Sequence, residues 1–124
     1  MLTNAPLMAF IATADPARAR AFYEGVLGLR FVADEPFALV FDCAATTLRV
    51  QKVPALTPAH FTALGWVVGD IAATMDGLAA RGVAFERFAG MPQDERGVMT
   101  FGDEARVAWF KDPDGNLLSV TQSP

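Results

Sequence analysis

The chain has 124 residues, 52% hydrophobic and 19% charged, with a formal net charge of -4. That length suits one domain able to bury roughly two-thirds of its unfolded surface, and the composition excludes a disordered or fibrous chain. Fourteen acidic residues against ten basic ones, with no basic cluster, argue against a nucleic-acid partner, because phosphate binding concentrates Lys and Arg.

Mean hydropathy is +0.28, high for a small soluble protein. No apolar run reaches the ~18–20 residues that a membrane helix requires, so no membrane partner is expected. The apolar excess points instead to a ligand cavity or a subunit interface, and a homodimer is the expectation. The N-terminal MLTNAPLMAFIATAD lacks the charged start and cleavage site of a signal peptide and reads as a first strand. Cys43, the one cysteine, excludes an internal disulfide and fits a cytoplasmic protein.

In chain order, Leu7 to Thr13 is a strand, followed by Asp15 as a helix N-cap and Pro16 as a first helical residue. The next segment places Phe22, Tyr23, Val26 and Leu27 on one helical side, and Gly28 stops the helix. LRFVAD, FALVFD and TTLRVQKV are then short strands, with Cys43-Ala44-Ala45 as a tight turn. Pro54 to Pro58 is the linker.

The same order returns afterwards. Ala63 to Val68 is a strand and Asp70 an N-cap. A helix with Ile71, Met75 and Leu78 inward runs to Gly82. GVAFERF follows as a strand, MPQDERGVMTFGD as a looser stretch, RVAWFK and NLLSVTQ as the last strands. Asp112-Pro113-Asp114-Gly115 joins those two, since Pro presets φ and Gly takes positive φ. The two Asp caps are 55 residues apart and the two Gly stops 54, which marks an internal repeat. The expected fold is α+β: a single domain over 1–124 of two tandem βαβββ modules, about 5–53 and 61–122, with a linker at about 54–60.

AFYEGVLGLRF in the first half and VAWFKDPDGNLLSV at the end resemble signatures of the glyoxalase/bleomycin-resistance/dioxygenase (vicinal oxygen chelate) superfamily. The resemblance covers nearly the whole chain. It implies a cup-shaped mixed sheet with helices outside and a site inside. Many enzymes of the family hold a divalent metal there, on His, Gln or Glu from the first and last strands of each module. The corresponding positions here are Met8, Ala63, Ser119, and Arg49 or Gln51. Only Gln51 among them carries a side chain suited to a hard divalent ion. His60, the sole histidine, lies in the loop before the second module's first strand.

The resemblance without the metal ligands implies a metal-independent cup that binds a small organic ligand, for which Arg49 offers a carboxylate or phosphate anchor if the ligand is an anion. No cofactor is expected. The expected ligand-binding residues are Met8, Phe10, Arg49, Gln51, Trp109, Ser119 and Thr121. Arg49 has an equal alternative, an ion pair with Glu35 or Glu86. Trp109 rather than Phe110 is expected to face the cup, and Trp66, Phe22 and Tyr23 to pack in the core. Gln93-Asp94-Glu95-Arg96 reads as a solvated loop. The rival readings are a metal-dependent lyase, isomerase or dioxygenase using Gln51, His60, Glu86 or Glu104; a metal-free enzyme in which Arg49 polarises a carbonyl; and an interaction module with a filled cup.

Overall fold

The computed structural model describes all residues, Met1–Pro124. The fold is α+β, with two four-stranded mixed sheets of the same connectivity. The chain divides into two compact units, Met1–Thr57 and Pro58–Pro124.

The first unit contains β1 (Met8–Thr13), α1 (Pro16–Arg20), β2 (Arg30–Asp34), β3 (Ala38–Cys43) and β4 (Thr46–Lys52). Its sheet runs β1-β4-β3-β2, with β1 and β4 parallel and the other neighbours antiparallel. The Asp15 carboxylate caps α1 by accepting from the Arg18 N–H, and Pro16 occupies the first turn. After Arg20 the helix widens into a π-helical segment, Ala21–Val26, where the Leu27 N–H reaches back five residues to the Phe22 carbonyl. Simple α periodicity does not show this segment, because its cause is tertiary. The wider turn buries the adjacent Phe22 and Tyr23 together, and Tyr23 packs against Phe41 of β3 with ring centroids 5.9 Å apart. Gly28 then closes the segment at φ +73°, a conformation that a Cβ would strain.

The core of this unit is the helix-side set Ile11, Leu39, Phe41, Leu48 and Val50, all buried with Ala19 and Tyr23. Each alternates along its strand with a residue on the other face, the period-two consequence of the pleat. Cys43 is the last residue of β3 rather than part of the turn. The left-handed position falls on Ala44, at φ 51°.

The second unit contains β5 (Leu64–Val67), α2 (Ile71–Ala80), β6 (Met99–Thr100), β7 (Arg106–Lys111) and β8 (Leu117–Gln122), in the order β5-β8-β7-β6. Asp70 caps α2 through the Ala73 N–H, and Gly82 follows its end at φ +92°. Ile71, Met75 and Leu78 are buried, as the helical spacing predicts, over a sheet face made of Ala108, Phe110, Leu118 and Val120. The Ile71 N–H also donates to the Gln122 side chain, tying the helix start to β8.

The segment GVAFERF is not a strand. Only one bridge remains, Phe85 opposite Phe110, together with a hydrogen bond from the Glu86 N–H to the Trp109 carbonyl. The edge of this sheet is divided: 85–86 pairs with the far end of β7, whereas Met99 and Thr100 pair with Val107 and Arg106. Gln93 organises the residues between. Its amide donates to the Glu86 and Gly97 carbonyls and accepts from the Phe88 N–H. Gln93 is therefore a structural bracket and not part of a solvated loop, while Asp94, Glu95 and Arg96 beside it are exposed.

No helix is long and apolar enough to cross a membrane.

Candidate functional site

Strand pairing in the first unit sets out the sheet face that α1 does not cover. Phe10 of β1 and Val40 of β3 both stand opposite Arg49 of β4, so Arg49 is flanked by an apolar residue on each neighbouring strand. One row further along, Gln51 lies between Ala12 and Ala38. In the other direction, Thr47 lies between Met8 and Asp42. Met8 and Phe10 are about half exposed, at 48% and 51%. Met8, Phe10, Arg49 and Gln51 thus share one face, because each lies an even number of residues from a strand neighbour on that face.

The Arg49 side chain is 26% exposed and carries an ion pair to Glu35, Nη2 to Oε1 at 2.9 Å. Of the two partners considered from sequence, Glu35 is the one found. Glu86 instead faces Lys111, at 3.6 Å. Glu35 sits in the short connection from β2 to β3. Its carbonyl accepts from Lys52 Nζ, which also binds Asp34.

In the second unit Ser119 of β8 stands between Gly65 of β5 and Trp109 of β7, and Thr121 stands between Val67 and Val107. Trp109, Ser119 and Thr121 therefore share the face opposite α2, while Phe110 is fully buried on the helix side. Trp66 pairs with Val120 and points to that helix side as well. Trp109 is held by a hydrogen bond from its Nε1 to Thr62 Oγ1 at 3.1 Å and by an edge-to-face contact with Phe88, centroids 5.6 Å apart. Thr62, Phe88, Gly65 and Val67 were not singled out from sequence. The period-two pattern could have placed Gly65 and Val67 on this face, but Thr62 and Phe88 reach Trp109 only through loop conformations that no local pattern encodes.

The positions at which the family's enzymes hold a metal can be tested for chemical fit. They present a thioether (Met8), a guanidinium or an amide (Arg49, Gln51), a methyl (Ala63) and a hydroxyl (Ser119), with no imidazole or carboxylate. No group of three or more His, Cys, Asp or Glu side chains comes together as a metal-binding cluster. His60 is exposed outside any strand, and Glu104 occupies a turn at φ 69°. This donor set does not fit a divalent centre.

The model of the Glyoxalase/Bleomycin resistance protein/Dioxygenase superfamily matches residues 6–120, nearly the whole chain. The chain belongs to this superfamily. A superfamily member from Sphaerobacter thermophilus superposes with a TM-score of 0.76 at 22% identity, over 99% of this chain and all of the other. Lactoylglutathione lyase from Agrobacterium tumefaciens gives 0.75 at 19% identity, covering 96% of this chain and 93% of the lyase. TnmS3, an antibiotic-binding protein from Streptomyces, gives 0.74 at 25% identity, covering 100% and 99% of the two chains. No curated protein sequence matches the chain. This superfamily protein thus shares its fold with a lyase and with a binding protein, so its chemistry has to be argued from its own residues.

Proposed function

We propose that this protein binds a small organic anion, without a metal, on the sheet face that carries Arg49. The observation behind this reading is the row Phe10–Arg49–Val40, in which a partly buried arginine is flanked on both neighbouring strands by apolar residues. Such a group recognises a carboxylate or other planar oxyanion, while its apolar neighbours take the rest of the molecule. The amide of Gln51, one row away, adds a neutral donor and acceptor. The second sheet carries Trp109 and Thr121, both partly exposed, on the face opposite α2, with Ser119 buried at 6% exposure between Gly65 and Trp109. The likeness to TnmS3, an antibiotic-binding protein, gives a precedent for ligand binding on this fold.

Metal independence rests on the donor set at the positions carried over from the family. We further propose a homodimer, supported by the exposed apolar side chains of Leu7, just before the edge strand β1, and Met8 at its start.

Calorimetric titration with aromatic carboxylates and their neutral amides tests the reading. The carboxylates are expected to bind more tightly, and Arg49→Gln to abolish the preference. Metal analysis after dialysis against divalent ions is expected to find no stoichiometric ion. One tightly held ion per chain, lost in Gln51→Ala, overturns metal independence.

A further inference from the structure

Arg49 is not a bare anchor, because Glu35 already holds it. We propose that Glu35 is a specificity residue of this site: a built-in carboxylate that occupies Arg49 until a ligand carboxylate replaces it, and that biases the site toward monoanions. The inference rests on the proposed role of Arg49 as an anion anchor.

Three features make the contact exchangeable. First, it is a single contact, one Nη2 to one Oε1, rather than the two-point fork that Arg and a carboxylate form at their strongest. The remaining guanidinium donors are left for a second anion. Second, the exposures are unequal: the Glu35 side chain is 46% exposed and that of Arg49 only 26%. The carboxylate has water to turn into, while Arg49 is the more enclosed of the two partners. Third, the backbone of Glu35 is fixed without its side chain. Its N–H donates to the Ala38 carbonyl at 2.9 Å, its carbonyl accepts from Lys52 at 2.8 Å, and the Lys52 N–H donates to the Phe37 carbonyl. Releasing the side chain therefore breaks no strand pairing. A half-exposed ion pair of this kind contributes little net stability, so a ligand can take its place at small cost.

Charge sets the selectivity. When a monoanion replaces Glu35, the guanidinium stays neutralised and the displaced carboxylate enters solvent nearby. A dianion on the same guanidinium leaves excess negative charge beside Glu35, and like charges at short range disfavour it. Lys52 offers no relief, since it is engaged by Asp34 and by the Glu35 carbonyl. The recognised class is an apolar or aromatic monocarboxylate in preference to a phosphate monoester.

The test uses three probes on the full chain: 2-naphthoate, 2-naphthyl phosphate and 2-naphthamide, titrated calorimetrically. The wild-type protein is expected to rank naphthoate first. Glu35→Gln is expected to tighten naphthoate by about two- to fivefold and naphthyl phosphate by more, with naphthamide unchanged. Glu35→Ala, which lacks the amide, should reproduce the trend. If naphthoate affinity is unchanged or weaker in both Glu35 variants while Arg49→Gln still abolishes the preference for naphthoate over naphthamide, Glu35 has no such role but Arg49 remains the anchor. If naphthoate binds no better than naphthamide to the wild-type protein, or none of the three binds at millimolar concentration, the anion-anchor reading fails and this proposal with it.

Discussion

The Oγ of Ser119 lies 2.6 Å from the point where a Cβ on Gly65 would stand. The two residues face each other across the parallel pair β5 and β8, and the missing side chain of Gly65 is what gives the Ser119 hydroxyl its space. The next nearest atom, the Ser119 carbonyl oxygen, is at an ordinary 3.7 Å, so the conflict is confined to one hydroxyl.

A double-mutant cycle reads this relationship directly. Gly65→Ala should be near neutral alone, because rotating the Ser119 hydroxyl off its preferred position costs about 0.5–1.5 kcal/mol and restricting the unfolded chain returns about 0.4–1 kcal/mol. In a Ser119→Ala background the clash is gone, and Gly65→Ala should stabilise by about 0.5–1 kcal/mol. Urea denaturation of the four proteins should therefore give a coupling of about 1 kcal/mol. Equal effects in both backgrounds would show that the two side chains do not compete.

Asp112 is the buried centre of the β7–β8 turn. At 5% exposure, its Oδ1 accepts from the Asp114 and Asn116 N–H groups and its Oδ2 from the Asn116 amide. Asp112→Ala removes both buried acceptor oxygens and should lower stability by about 3 kcal/mol. Asp112→Asn keeps the Oδ1 acceptor and should lose only about 1–2 kcal/mol. Chemical denaturation that ranks the Asn variant at or below the Ala variant contradicts the hydrogen-bond account.

Gln93 makes a prediction about local rather than global stability. Its Oε1 accepts from the Phe88 N–H at 2.7 Å. In Gln93→Ala that amide loses its partner, and hydrogen exchange at Phe88 should accelerate while the buried strands β7 and β8 keep their protection. Unchanged exchange at Phe88 would mean that something other than Gln93 holds the loop.

The helix caps, the glycine stops and the facing of the strands were legible in the sequence. Asp15 and Asp70 accept from the N–H three residues onward, and Gly28 and Gly82 take positive φ, because capping and left-handed turns involve only near neighbours in the chain. The family resemblance pointed to Met8, Ser119 and Arg49 or Gln51, and period-two alternation along a strand extended these to Phe10 and Thr121. The strand expected over GVAFERF was misread for a related reason. Its apolar residues carry the strand pattern, but partners are available to β7 only at Phe85–Glu86 and again at Met99–Thr100, and the intervening residues close on Gln93.

The sequence by itself determined the repeated order of elements, their starts and stops, and the side of each strand on which a residue stands. All of these follow from covalent geometry over a few residues. Only the tertiary structure decided that Arg49 meets Glu35 and not Glu86, that Gly65 makes room for Ser119, and that the helix after Arg20 widens to bury Phe22 and Tyr23 together. Each of those outcomes depends on which distant segment packs alongside. That choice is made by the register of paired strands and the filling of a shared core, which no local pattern encodes.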